Sequence, residues 1–135
     1  MSYNDQRNAI QNHFKTQFEA AHPGIPIIYD NIKADKPADG YVQINILNGD
    51  SALKGLGSTK LYRYAGVVSV DIYQPTKKGI KEADSQADTI DGIFRGQQFS
   101  GLLFRAAQRM DLGNDDNYWR VNISISFQRD ELFSV

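Results

Sequence analysis

An α+β fold is what this chain predicts: a mostly antiparallel sheet of four to five strands, with two helices packed on one face. Three observations carry that expectation. The stretch Lys60–Pro75, KLYRYAGVVSVDIYQP, alternates with period two, and Tyr118–Arg129 does so without exception. Two other segments bring apolar residues round at helical spacing. The elements then follow in the order helix, strand, strand, long strand, helix, strand, strand, which suits a layer of helices on one side of a sheet.

The first helix is expected over Ser2–Ala21. Ser2 followed by Asp5 resembles a capping box with a shortened acid, and Tyr3, Ile10, Phe14, Phe18 and Ala21 recur along one side. Burying each of its phenylalanines is worth about 1.5–3 kcal/mol, so the stripe should dock on the sheet. Its polar face is Asn and Gln rather than Lys and Arg, unlike a membrane-surface helix. Pro23 and Gly24 end it.

Ile25–Asn31 reads as a short strand, and Pro26 argues for an edge position. Lys33–Gly40 is a polar connection. Tyr41–Leu47 alternates Val42, Ile44 and Ile46 against Gln43 and Asn45, and Asn48–Thr59 reads as an unusually long loop, either disordered or contacting a partner.

The Lys60–Pro75 strand is the longest element. Tyr62, Tyr64, Gly66, Val68, Val70 and Ile72 form an apolar side, while Leu61, Arg63, Ala65, Val67, Ser69, Asp71 and Tyr73 form a mixed one. At about 3.3 Å per residue the stretch would reach roughly 50 Å, against a diameter of roughly 37 Å for a compact chain of this size. Either Gly66 bends it through a bulge, or one end projects and meets another chain.

The second helix is expected over Lys78–Arg95, where Ile80, Ala83, Ala87, Ile90 and Phe94 make a seam that Gly96 caps. Gln98–Arg109 holds a shorter strand around Leu102, Leu103 and Phe104, and Asp111–Asn117 is an acidic turn. In the last strand Trp119, Val121, Ile123, Ile125 and Phe127 face a core, and Arg120, Asn122, Ser124, Ser126 and Gln128 face water.

Composition narrows the function. The 135 residues, 41% hydrophobic and 23% charged, suit one domain with one core, without internal repeat or linker. A net charge of -1 gives no basic surplus for non-specific nucleic-acid binding. Absence of cysteine rules out disulfides and thiolate metal sites and fits a reducing compartment. No apolar run approaches the roughly eighteen residues that span a bilayer, and the N-terminus lacks a signal core, so a soluble product not exported by the usual routes is expected.

The chemistry-bearing motifs are weak. Gly55–Lys60, GLGSTK, lacks the spacing of a phosphate loop and precedes a strand rather than a helix. Asp111, Asp115 and Asp116 with Gly113 and Asn114 lack the ligand register of a calcium loop and read as a charged hairpin turn. His13 and His22 share no metal-binding helical face and read as surface or boundary residues. No nucleophile constellation can be assembled. No enzyme activity and no cofactor or metal are expected.

On the second helix, Asp84, Asp88 and Asp91 form a like-charged stripe, and Lys77, Lys78 and Lys81 sit where the helix dipole disfavours cations. They read either as a solvated face or as charges that answer each other across copies of the same chain.

Three segments, GLGSTKLYRYAGVVSVDIYQP, ADSQADTIDGIFRGQQFSGLLFRA and YWRVNISISFQRDE, together resemble the lambda-like tail terminators of long-tailed bacteriophages, over nearly the whole chain. The resemblance implies a structural protein that forms a ring, typically a hexamer, on the head-proximal end of the tail tube, stops tube polymerisation and presents a surface to the neck. Its implied partners are further copies of itself, the tail tube protein, a head–tail connector or neck protein, and DNA passing through the lumen without specific binding; no membrane is involved. It implies a place in the virion tail, reached from the host cytoplasm during assembly.

By position, the candidate contacts are Asp84, Asp88 and Asp91 with Lys77, Lys78 and Lys81, then Lys54 and Lys60 in the Gly49–Lys60 loop, and Arg129, Asp130 and Glu131 at the exit. Arg63 and Arg120 are candidates to face the lumen. Two alternatives stand beside this reading: a neck or head–tail joining protein, and a small-molecule-binding or enzymatic α+β protein, which would need a closed pocket with convergent polar groups.

Overall fold

The computed structural model describes residues 1–30, 39–55, 59–76, 80–115 and 117–134. Helix α1 spans Tyr3–Ala21, and Ser2 and Asp5 close the expected capping box: the Ser2 hydroxyl accepts from the Asp5 N–H at 3.0 Å, and Asp5 accepts from the Ser2 N–H at 3.2 Å. These bonds satisfy amides that no helical turn can reach, and they hold the Asp5 carboxyl below its ordinary range. The buried stripe is Gln6, Ile10, Phe14 and Phe18. Tyr3, expected in that stripe, is exposed and meets Tyr64 edge-on instead.

Helix α2 spans Lys81–Phe94, with Ile80 as an N-cap that makes no side-chain bond. The expected start at Lys78 lies outside the described residues, as do Lys77 and the Lys33–Ala38 part of the first connection. Ala83, Ala87, Ile90 and Phe94 are buried as the seam predicts, joined by Gln86 and Ile93, whereas Ile80 stays exposed at the helix end. Gly96 follows in the left-handed conformation that ends a helix at no steric cost.

The strands are β1 (Ile27–Tyr29), β2 (Tyr41–Leu53), β3 (Thr59–Pro75), β4 (Gln98–Phe99), β5 (Leu102–Asp115) and β6 (Tyr118–Ser134), in the sheet order β1-β2-β3-β6-β5-β4. Six strands replace the four to five expected, because Ser100 and Gly101 both take positive φ and split Gln98–Arg109 into a tight hairpin. Among the described residues only β1, next to Pro26 at one edge, pairs in parallel, and every other pairing is antiparallel. Val42, Ile44 and Ile46, Val68, Val70 and Ile72, and Val121, Ile123, Ile125 and Phe127 form one core with the apolar stripes of both helices.

Three expectations about strand length are corrected. The twelve-residue loop is largely strand: β2 runs on to Leu53 and β3 resumes at Thr59, so Ser51, Ala52 and Leu53 pair with Tyr64, Arg63 and Tyr62. Backbone pairing needs no apolar alternation, so the polar run NGDSAL concealed it. Likewise β5 continues to Asp115, well past the short strand expected, so Asp111–Asp115 is strand where an acidic turn was expected.

Gly66 makes no bulge in β3. The β3–β6 register runs unbroken from Thr59↔Ser134 to Pro75↔Tyr118, and the irregularity lies in β2, between Asn48 and Ser51. Both ends of β3 pair with β6 of their own chain, from Thr59 to Pro75.

Candidate interaction surfaces

The helices cover one face of the sheet, and strand alternation turns a second set of side chains to the other. Register lines up Gln43, Asp71 and Asn122 in one row and Asn45, Ser69 and Ser124 in the next. Asp71 is 5% exposed, and burial of a carboxylate demands donors. Asn122 Nδ2 donates to its Oδ1 at 2.9 Å, and Arg120 donates from Nε and Nη2 at 3.3 and 3.2 Å. The same Asn122 amide reaches the Ser69 hydroxyl at 2.8 Å, and the Arg120 guanidinium lies 5.6 Å from the Tyr73 ring centroid. Beside this network Tyr73 stacks on Tyr41, and Tyr118 meets both rings edge-on.

Farther along the same face Arg63 and Asp130 are cross-strand neighbours. Arg63 Nε and Nη2 donate to the two Asp130 oxygens at 2.9 and 3.1 Å, a two-pronged match of guanidinium and carboxylate. Each holds the other charged: the arginine pushes the carboxyl below its usual range, and the carboxylate raises the guanidinium. Both lumen candidates, Arg63 and Arg120, therefore sit on the helix-free face, each against an acid.

Arg129 is not displayed as an exit contact. It is 3% exposed and occupied inside the subunit. Nε donates to Gln6 Oε1 at 2.7 Å, and Nη1 donates to the Met1 carbonyl at 2.8 Å and to Glu131 Oε1 at 2.6 Å. The guanidinium lies 4.1 Å from the Tyr64 centroid and 5.2 Å from that of Tyr3. Gln6 passes the connection on to Asn48 Oδ1 at 2.8 Å. A hydrogen bond from the Met1 ammonium, with Arg129 beside it, holds Glu131 below its ordinary range. The signal was present: Arg129 continues the parity of Trp119–Phe127, so alternation sends it to the covered face.

The acidic helix stripe finds cations within the chain. Asp84 pairs with Arg109 at 2.7 Å, Arg109 also binds Asp111 at 2.9 Å, and Asp91 pairs with Arg95 at 2.9 Å. Hydrogen bonds to Asp84 and then Asp111 raise the Arg109 guanidinium. Arg109, which sequence reasoning missed, lies on β5 and is brought beside α2 only by the fold. Asp88 is exposed at a cleft of about 100 Å³ that Ala87, Ala107 and Arg109 help to line. Lys81 and Lys54 are exposed and Lys60 is half-buried, while the Lys54 N–H donates to the Leu61 carbonyl at 2.7 Å near the hairpin end. Both histidines bridge helices or their ends, as boundary residues do: His13 Nε2 lies 3.0 Å from the Ile93 carbonyl with its ring stacked on Phe99, and His22 Nε2 lies 2.9 Å from Thr89 Oγ1.

A shallow groove of about 510 Å³ crosses the helix-free face, where Leu47, Ala65, Val67, Ser126 and Gln128 help to line it. Arg105 is its charged residue, and it donates to Gln128 Oε1 at 2.7 Å. Several large apolar side chains stand in solvent around the sheet margins, among them Leu47 at 58%, Met110 at 61% and Leu132 at 70% exposed. Such side chains, grouped along one face and its edges, are what an association surface presents. Among the described residues no helix is long and apolar enough to cross a membrane.

Comparison with known proteins gives three findings. A family model described as "Phage tail terminator protein" matches residues 7–127. A solved structure 22% identical to this chain superposes with a TM-score of 0.74 and covers 96% of each chain, a likeness of fold alone. No curated protein matches significantly.

Proposed function

The chain belongs to the phage tail terminator family, which makes it a structural component of the phage tail, and from that membership we propose that its copies close into a ring, typically six-fold in the family it resembles. The ring sits on the head-proximal end of the tail tube, stops further addition of tube subunits and offers its opposite surface to the neck. Assembly takes place in the host cytoplasm. The observation that carries this reading is the family match over residues 7–127, nearly the full chain.

The geometry supports it in kind. A closed ring of identical copies needs two different patches that fit each other. Here one sheet face lies open and carries a groove, and exposed leucines and a methionine flank it. Two arginines on that face are matched by acids, Arg63 by Asp130 and Arg120 by Asp71, and a third, Arg105, donates to the Gln128 amide oxygen. A lumen wall of such pairs would let a DNA backbone slide past, because free cations would hold phosphates through counterion release and paired ones would not.

Native mass spectrometry and negative-stain imaging of the protein with its tail tube protein test the reading. Six-fold rings capping one end of tubes are expected, as are tubes of uncontrolled length when the protein is omitted. Tubes that end at the same length without it, and never carry it at an end, would overturn the proposal.

A further inference from the structure

The two sides of the sheet are left open at different heights. On one side β1 covers β2 only at Val42–Ile44, and among the described residues nothing pairs with the outer edge of β2 from Leu47 to Leu53. On the other side β4 covers β5 only at Leu102 and Leu103, and β5 runs on with an open edge that is regular over Ala107–Asp111, between two bulges. Neither run contains proline or lysine, two common guards of edge strands; Asp50 and the irregularity between Asn48 and Ser51 lie in the first run, and Arg109 and Asp111 in the second. Both display apolar side chains, Leu47 and Leu53 on β2 and Met110 on β5. Such edges are templates for further strands.

We infer that neighbouring copies join by strand addition, the open run 47–53 of β2 in one subunit pairing with the open run 107–111 of β5 in the next. This rests on the ring reading and specifies its contact. Direction agrees: β2–β3, β3–β6 and β6–β5 are all antiparallel, so β2 and β5 run in opposite senses within a subunit. Rotation about a ring axis preserves those senses, and the joint is antiparallel like the rest of the sheet.

The offset agrees as well. The centre of 47–53 lies level with Ala65, between Asn48↔Gly66 and Ser51↔Tyr64, while Arg109 lies level with Val70 through Ile123. At about 3.3 Å per residue the two openings are displaced by about 17 Å along the strands, and four strands at about 4.8 Å span about 19 Å across. Joining them without rise along the ring axis tilts the strands by about 40°, inside the roughly 35–45° that closed barrels adopt. A sheet built this way has no free edge at those heights, and the subunit needs no other guard there.

The chain has no cysteine, so introduced thiols report the joint directly. Ala52 and Gln108 are exposed on the same face, opposite Arg63 and Ser124 respectively. The double variant Ala52→Cys/Gln108→Cys, treated with a bis-maleimide after assembly on tail tubes, is expected to give a ladder of covalent multiples ending at the ring size, and neither single variant a ladder. A separate variant, Ala52→Lys, is expected to weaken assembly at least tenfold with its circular dichroism and Tm unchanged. Wild-type rings seen by negative stain, without a ladder from the double variant and with Ala52→Lys assembling normally, would overturn strand addition and leave the ring standing. Wild-type protein that never forms rings or caps would overturn the ring reading itself, and strand addition as its contact.

Discussion

Gly66 lies directly against the ring of Phe127. A Cβ built on Gly66 would stand 2.6 Å from Phe127 Cζ and 2.8 Å from the Leu47 carbonyl oxygen, so this position excludes a side chain by lack of space rather than by backbone conformation. The glycine leaves room on the helix-covered face for the Phe127 ring, which packs over it inside the core.

Gly66→Ala should therefore destabilise the subunit by about 1–3 kcal/mol, the usual cost of overpacking a filled site. Adding Phe127→Leu should restore part of that loss, and only part, because the Leu47 carbonyl remains in the way. Urea unfolding of the two single variants and the double variant measures the coupling; fully additive losses would contradict the contact.

Arg129 holds Gln6, Met1 and Glu131 from a buried position, so truncation strands their polar groups. Arg129→Ala should cost about 3 kcal/mol or more, as broken buried pairs do. Arg129→Lys should recover little, since one ammonium cannot serve Nε and Nη1 acceptors or stack on Tyr64 as a planar guanidinium does. Chemical denaturation checks both, and a lysine variant as stable as wild type would refute the forked geometry.

The Arg109 contacts are more open to water, and surface pairs are weak. Arg109→Met should lower stability by only about 0.5–1 kcal/mol, but it should leave Asp84, Asp88 and Asp91 repelling one another on α2. The variant's Tm should then rise with added salt more steeply than that of the wild type, which thermal melts at low and high ionic strength would reveal.

Asp130 and Glu131 are both held below their ordinary values of 3.8 and 4.5, by Arg63 and by the Met1 ammonium with Arg129. The folded state therefore binds fewer protons than the unfolded chain in this range. Their stabilisation is complete above about pH 5 and is lost as pH falls through the lowered folded values. Tm should decline on acidification below about pH 4.5, and Asp130→Asn together with Glu131→Gln should make that decline shallower. An unchanged acid slope in the double variant would show that the two pairs contribute nothing.

The expected fold class, both helices and the order of the main strands were legible because they rest on local periodicity. Val42–Ile46, Val68–Ile72 and Val121–Phe127 state their buried face every second residue, and Ser2 with Asp5 states the start of α1 within one turn. The candidate contacts were legible as charges but not as partners. Arg63, Arg120 and Asp84 were singled out, while Asp130, Asp71 and Arg109 became their counterparts only when distant strands and α2 were brought side by side.

What the amino-acid order determined alone is which residues face inward wherever apolar and polar positions alternate. Tertiary structure decided the rest: the extension of β2 through NGDSAL and of β5 to Asp115, the burial of Arg129, and the use of Gly66 to admit an aromatic ring. The reason is physical. Side-chain periodicity is written along one segment, whereas hydrogen bonding of a polar strand, pairing of a buried charge and the space left beside a glycine each depend on a second segment far away in the chain.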